Sequence, residues 1–161
     1  MVERVPMSKT GFVHLQSELE RLHKVDRPDV IKAIGEARAH GDLKENAEYH
    51  AAKERQGFIE GRIMELKDKL GRAEIIDCSS IDASRVVFGA VVSLVDLDTN
   101  EELSYQLLGP EESDVKTGSI SVLSPLGRSM IGKIIGDEVT VKTPGGIRNF
   151  EIIEITKSGK A

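Results

Sequence analysis

The 161-residue sequence predicts an α+β protein: an N-terminal antiparallel coiled-coil hairpin, then a small antiparallel β-sheet domain with one short helix. Apolar residues recur at alternating steps of three and four on both sides of residues 41–54. After residue 85 the apolar period changes to two, with Gly and Pro turns between the segments. We therefore assign residues 1–78 to the hairpin, 79–84 to a linker and 85–161 to the sheet domain.

The first arm of the hairpin follows a short strand-like or irregular segment, residues 2–7. Ser8 is a good N-cap residue, so we expect the helix to begin there. Pro28 has no amide hydrogen, which predicts a kink or a one-turn interruption near residues 26–29. Beyond it the apolar pattern resumes at Val30 and ends at Gly41. Before the break, the predicted seam consists of Phe12, Leu15, Leu19 and Leu22.

The second arm shows the most regular pattern in the chain. Its apolar seam should form one helix of about 29 residues, so the hairpin should be a rod of roughly 40 to 45 Å. A domain of about 80 residues cannot cover such a rod, and we expect part of it to project into solvent. The seam runs through Tyr49, Ala52, Gln56, Ile59, Ile63, Leu66, Leu70 and Ala73.

The second half of the chain reads as a β-domain. Residues 75–84 are rich in Asp, Ser and Ala, which indicates a linker. Residues 124–132 predict a capped short helix with Pro125 at its first position. The predicted strands are 86–97, 101–108, 120–123, 137–143 and 147–155.

The bend of the hairpin is rich in charge. Asp42, Glu45 and Glu48 place three carboxylates within seven residues, beside Lys44 and Lys53. No hydrophobic core could bury such a cluster, so we expect it in solvent.

Two interpretations of this bend are open. In the first, Gly41 ends one helix in a left-handed conformation, Asp42 caps the next and Glu45 closes a capping box. In the second, Asp42 and Glu45 also lie on one side of the first turn and offer oxygen ligands to Mg²⁺. Two carboxylates do not complete a magnesium site, so the remaining ligands would come from another macromolecule.

The charge distribution argues against general binding of polyanions. The net charge is −5; residues 1–78 hold 14 Lys and Arg against 15 Asp and Glu, and residues 79–161 hold 8 against 12. Contact with nucleic acid would therefore need a local patch. Arg38, Lys44, Lys53 and Arg55 could form one near the bend, or they could be an ordinary solvated helical face.

Several classes of protein are disfavoured. No apolar run approaches membrane-spanning length and the N-terminus lacks the apolar segment of a signal peptide, so we expect a cytoplasmic protein without membrane contact. Cys78 is the only cysteine, which excludes an internal disulfide. The four histidines lack metal-ligand spacing and are interpreted as solvent-facing helix positions.

Three motifs are similar to the Gre family of bacterial transcript cleavage factors: RPDVIKAIGEARAH, GDLKENAEYHAAKE, and SPLGRSMIGK followed by GDEVTVKTPGG. The resemblance implies that an FKBP-like C-terminal domain binds RNA polymerase while the coiled coil enters the secondary channel. Asp42 and Glu45 would then help hold a second Mg²⁺ in the polymerase active centre, with no cofactor of the factor's own.

The resemblance also implies roles for the neighbouring residues. Tyr49 would support the bend, and Lys44 and Lys53 would lie near the 3′ end of the nascent RNA, with Arg38 and Arg55 in the same basic patch. The chain would be a monomeric transcription elongation factor. It would not be an enzyme itself, but would stimulate the polymerase's own cleavage of backtracked RNA and so rescue arrested complexes.

Two other functions remain as alternatives. One is a polymerase inhibitor that occupies the same channel. The other is a prolyl isomerase or chaperone built on the C-terminal domain, which has only Phe88, Tyr105 and Phe150 to line an aromatic pocket.

A polymerase-docking surface is the second site that we consider. Following the resemblance, it would consist of Ser124, Pro125, Leu126 and Met130, with Ile131 beside them. The competing explanation is helix capping with ordinary core packing, and the sequence favours neither.

Overall fold

The chain forms a helical unit and a sheet unit, and the computed structural model describes residues 3–79 and 81–157. This architecture confirms the predicted α+β class. The elements are β1 (Val5–Ser8), α1 (Lys9–Arg21), a π-helical turn (Leu22–Asp26), α2 (Arg27–Arg38), α3 (Ala47–Arg72), β2 (Ala73–Ile76), β3 (Ala90–Asp96), β4 (Glu102–Leu108), a 3₁₀ turn (Val115–Thr117), β5 (Ser119–Ser121), α4 (Pro125–Met130), β6 (Glu138–Thr143) and β7 (Gly146–Lys157).

The division between the units differs from the predicted domains. The helical unit is Val13–Arg72, whereas the segment that ends at Phe12 and the segment that begins at Ala73 belong together in the sheet unit. The reason is that β1 pairs in parallel with β2, from Val5 beside Ala73 to Ser8 beside Ile76. Residues 75 and 76, predicted as linker, are therefore strand; Val2 lies outside the described residues.

The start of α1 is held as the sequence predicts. Ser8 caps the helix, because its hydroxyl oxygen accepts the Gly11 amide at 3.1 Å. The Glu112 carboxylate accepts both the Ser8 amide, at 2.7 Å, and the Ser8 hydroxyl. This carboxylate fixes the N-terminal segment to the sheet unit.

The core of the helical unit follows the predicted seam. Ile59, Ile63 and Leu66 of α3 are buried against Leu22 and Val30 of the first arm. Burial of these side chains is the main force that holds the two arms together, since the surrounding positions are charged.

The interruption in the first arm is a π-helical turn over Leu22–Asp26, slightly earlier than predicted. The Arg27 amide donates to the Leu22 carbonyl, five residues back, and Pro28 follows at the start of α2. Such a turn accommodates about one extra residue. Leu22 and Val30 are eight positions apart in the sequence. Because the π-helical turn between them absorbs one residue, they are placed like residues i and i+7 of a regular helix and lie on the same face.

Two ion pairs join the arms beside this core. Arg27 donates to Glu60 through two nitrogens, at 2.7 and 2.6 Å, and Arg62 donates to Glu18 at 3.1 and 2.8 Å. The hydrogen bond from Arg27 lowers the pKa of Glu60 from its usual value. Paired forks of this kind fix the register of α3 against the first arm.

The sheet unit contains a five-stranded sheet with the strand order β5-β4-β3-β7-β6. The pairs β3–β4, β3–β7 and β6–β7 are antiparallel, which is the orientation predicted for the sheet as a whole. The pair β4–β5 is parallel, because residues 109–118 carry the chain back along β4 before β5 begins. The core under the sheet includes Val86, Val92, Leu94, Leu107, Met130, Val139, Phe150 and Ile152.

The first strand of this sheet is shorter than predicted. It begins at Ala90 because Gly89 has a φ of +88°, in the left-handed region that ends a strand. It ends at Asp96, whose buried carboxylate accepts the Asp98 amide at 2.8 Å and the Arg148 guanidinium at 2.6 Å. Asp96 thus holds the turn to β4.

No helix in the described part of the chain is long and apolar enough to cross a membrane.

Candidate functional site

The candidate site is the loop between α2 and α3, residues 39–46, which we call the acidic loop. Gly41 has a φ of +103°, which confirms the predicted left-handed conformation after the first arm. The predicted capping box is wrong, because α3 begins only at Ala47 and neither Asp42 nor Glu45 lies in its first turn. Both acids instead stand on the loop itself.

Asn46 is the residue that caps α3. Its side-chain oxygen accepts the Tyr49 amide at 3.0 Å, and its side-chain nitrogen donates to the Ala37 carbonyl of α2 at 2.6 Å. One amide side chain therefore caps the start of α3 and also bonds to a carbonyl in the last turn of α2, which accepts the His40 amide as well. It closes the base of the acidic loop.

The Asp42 and Glu45 carboxylates are open to solvent. Asp42 accepts the Lys44 amide at 3.0 Å, an Asx turn that leaves its second oxygen available. Among residues 3–79 and 81–157, neither Asp42 nor Glu45 forms an ion pair. No cation in this described part of the chain therefore neutralises their charges.

These two groups suit a hard cation only in part. Carboxylate oxygens are the ligands that Mg²⁺ prefers, but Mg²⁺ needs near-octahedral coordination. Within the described residues, no cluster of three or more His, Cys, Asp or Glu side chains is placed to hold a metal ion. The loop can contribute ligands to a site that is completed by other groups.

An aromatic pair lies beside the acidic loop. The Tyr49 and His50 rings meet edge to face at 5.7 Å, and the Arg38 guanidinium lies 6.0 Å from the Tyr49 ring centre. His50 Nε2 is 2.9 Å from the Lys44 carbonyl, which can only accept, so Nε2 carries the proton in this bond. His50 thus anchors the loop and is more than the solvent-facing residue that the sequence suggested.

The four basic residues proposed as a patch are all exposed, on three different elements. Arg38 ends α2, Lys44 lies in the acidic loop, and Lys53 and Arg55 lie on α3. The Lys53 ammonium donates weakly to Gln56 at 3.3 Å. Arg38 lies against the Tyr49 ring and the Lys44 backbone carbonyl bonds to His50, so these two basic residues are both held at the adjacent rings.

The proposed docking surface is only partly exposed. Ser124 caps α4 by accepting the Gly127 amide at 3.1 Å, as predicted. Met130 is fully buried, so its assignment to a docking surface is wrong: the short helix points this side chain into the core. Leu126 is half-buried against the same core. Pro125 and Ile131 remain exposed.

Sequence reasoning missed Asn46 and His50. Asn46 directly precedes the regular apolar pattern of α3 and belongs to the best N-cap class, which was a usable signal. The spacing of Asp42 and Glu45 also fitted a capping box, and this competing match led to a predicted helix start at Asp42 instead of Asn46. No sequence signal pointed to His50, because its partner is a backbone carbonyl.

Comparison with known proteins covers nearly the whole chain. Residues 5–75 match the family described as "Transcription elongation factor, N-terminal", and residues 81–157 match "Transcription elongation factor, GreA/GreB, C-term". The transcription elongation factor GreA of Desulfotalea psychrophila is 69% identical over 155 residues, 96% of each chain. That of Thermodesulfovibrio yellowstonii is 56% identical and covers 97% of this chain and 99% of the relative. The solved structure of GreA factor homolog 1 (Gfh1) of Thermus thermophilus is 32% identical, covers 95% of this chain and 99% of that one, and gives a TM-score of 0.44.

Proposed function

Because the chain belongs to the GreA/GreB family of transcription elongation factors, we propose that it binds RNA polymerase and stimulates the polymerase's own cleavage of backtracked RNA. The hairpin would enter the secondary channel and bring the acidic loop to the active centre. The observation that supports this most directly is the pair of exposed, unneutralised carboxylates of Asp42 and Glu45, on a loop closed by its own hydrogen bonds.

The Asp42 and Glu45 carboxylates would act as Mg²⁺ ligands that this chain brings to the active centre of the polymerase. Mg²⁺ bound there would activate a water and stabilise charge in phosphoryl transfer. Asp42 would offer the oxygen that Lys44 does not occupy, and Glu45 would offer both of its oxygens. The described residues provide only part of such a site, so the polymerase would provide the remaining ligands and perform the chemistry.

The basic residues would position the RNA. Arg38 directly precedes the acidic loop and Lys44 lies within it, and a phosphate near them would be attracted without any base being read. Lys53 and Arg55 would extend this attraction along α3. Arg38 also lies against Tyr49, so Tyr49 would hold that cation beside the loop.

Docking on the polymerase would use the exposed apolar residues next to α4, Pro125 and Ile131, with Ser124 and Leu126 shaping the helix. We expect Ile131→Asp in the full-length chain to weaken polymerase binding at least about tenfold, since it places a charge in an apolar contact. Ile153→Asp on β7, of similar exposure, is the matched control. Equal binding of both variants would refute this surface.

The test of function is RNA cleavage in backtracked elongation complexes, with and without Mg²⁺. The wild-type chain should shorten the RNA, and the double variant Asp42→Asn, Glu45→Gln should lower the maximal rate about a hundredfold, or roughly 2.7 kcal/mol of activation free energy. The amide oxygen introduced by Asp42→Asn can still accept from the Lys44 amide, so folding and polymerase binding should be preserved. Glu54→Gln, exposed on α3, is the control for loss of charge.

Two results would contradict the proposal in different ways. If the double variant still accelerates cleavage like the wild type, the carboxylates are not the active groups. If the wild-type chain halts elongation without shortening the RNA, it is an inhibitor that occupies the channel.

A further inference from the structure

The acidic loop has no hydrophobic core of its own. Residues 39–45 are all exposed, so burial cannot set the positions of Asp42 and Glu45. The loop conformation must then depend on hydrogen bonds. Backbone bonds from His40 and Gly41 continue the end of α2, and the Asn46 side chain bonds to both helices. Through one side chain, Asn46 bonds the buried Ala37 of α2 and the Tyr49 amide of α3.

We propose that Asn46 is a positioning residue for the cleavage-stimulating activity: it fixes where the Asp42 and Glu45 carboxylates stand by tying the last turn of α2 to the first turn of α3. The inference rests on the proposed function. Asn46 bonds to neither carboxylate. It acts indirectly, by setting the distance between the two helix ends that the loop connects.

The chemistry of the contact requires an amide. The Ala37 carbonyl can only accept and the Tyr49 amide can only donate. A side chain that links the two helices, which we call the Asn46 tie, therefore needs both a donor and an acceptor. Aspartate keeps the acceptor for Tyr49 but sets an oxygen against the Ala37 carbonyl. Serine also caps helices, but it is shorter and adds no charge. Both substitutions keep the cap and remove the tie.

A second contact supports the same arrangement. His50 donates to the Lys44 carbonyl at 2.9 Å, in the middle of the loop, and the Lys44 amide donates to Asp42. Asp42 is thus connected through Lys44 to α3, and Asn46 sets the distance between α3 and the end of α2. Loss of the Asn46 tie should therefore change the position of the Asp42 carboxylate.

The experiment compares Asn46→Ser and Asn46→Asp in the full-length chain with Ala51→Gly, which weakens the same helix at an exposed position without touching the loop. Cleavage of backtracked RNA is measured against factor concentration. Both Asn46 variants should lower the maximal rate about tenfold, as expected for a misplaced group, and should leave the half-saturating concentration unchanged within about twofold. Ala51→Gly should leave both quantities unchanged.

A double-mutant cycle separates positioning from general damage. In the Asp42→Asn, Glu45→Gln background, Asn46→Ser should cause no further loss, because the groups that it positions are already inactive. A further loss there, or wild-type rates for the Asn46 variants, would overturn the inference.

A measurement on the free chain does not depend on activity. Amide hydrogen exchange at Lys44 should become faster in both Asn46 variants and stay unchanged in Ala51→Gly. Unchanged exchange in the Asn46 variants would refute the tie even if the wild-type chain failed to stimulate cleavage. Failure of the wild-type chain alone would refute the proposed function.

Discussion

Truncation of Leu66 tests whether the hairpin is held by its apolar seam. Leu66 is fully buried in the cluster with Leu22, Val30, Ile59 and Ile63, whereas Met64, two residues earlier on α3, is 72% exposed. The two side chains are similar in size and share one helix. Leu66→Ala and Met64→Ala therefore form a matched pair that differs in burial.

The magnitude follows from what Leu66 loses. Replacement by Ala removes three carbon groups, worth about 2.4 kcal/mol at roughly 0.8 kcal/mol each. The surrounding helices relax only partly, so a residual cavity adds to the loss, and the total should be about 3 to 4 kcal/mol. An exposed side chain contributes little, so Met64→Ala should change the free energy of unfolding by less than about 0.5 kcal/mol.

The assay is urea denaturation followed by the helical circular dichroism signal at 222 nm. The denaturant slope should stay the same, so that the shift in midpoint reports stability. Below the transition, Leu66→Ala should still stimulate RNA cleavage, because the acidic loop is closed by its own hydrogen bonds. If both variants lose equal stability, the seam does not hold the arms and this account of the hairpin is wrong.

Three further predictions concern other parts of the chain. Gly57→Ala should raise the free energy of unfolding by up to about 1 kcal/mol in urea titrations, because a methyl group there meets no atom within 4 Å beyond the adjacent residues and backbone of its own helix; a lower stability would contradict this. The hydrogen bond from the Arg148 guanidinium is the largest cause that holds the pKa of Asp96 below its usual 3.8. This carboxylate therefore stabilises the fold above about pH 4, and its contribution is lost as the pH falls through the folded pKa. Unfolding at pH 5, 4 and 3 should show a steeper loss for the wild type than for Asp96→Asn, and parallel losses would refute the role of this pair. Burial raises the pKa of the Cys78 thiol above its usual 9.0, so iodoacetamide at pH 8 should label it at least about tenfold more slowly in the native chain than in urea; equal rates would show an open thiol.

Local patterns were sufficient to predict the hairpin and its core. The three-four spacing placed Ile59, Ile63 and Leu66 on one face of α3, and the structure buries all three. The Ser124 cap of α4 was predictable for the same reason, since Ser followed by Pro fits the start of a helix. In both cases the informative pattern lies within residues close in sequence, even though the hairpin core itself joins two separate helices.

Contacts between distant residues could not be predicted in this way. The pairing of Val5 with Ala73 joins two short strands that lie on either side of the helical unit in the sequence. Neither segment contains a pattern that indicates its pairing partner. The burial of Met130 depends on which way a short helix faces the sheet. The start of α3 was missed because Asp42 and Asn46 are both good caps, and the bond from Asn46 to Ala37 decides between them.

The π-helical turn at Leu22–Asp26 sets where the first arm can tolerate a change of length. Removal of Val25, half-exposed in this turn, would convert it to regular α-helix and leave α1 and α2 facing α3 as before. Removal of one residue within α2 would instead swing the acidic loop by about 100° around the helix axis. The π-helical turn can therefore lose one residue without rotating the acidic loop, and the directions of the Asp42 and Glu45 carboxylates are preserved.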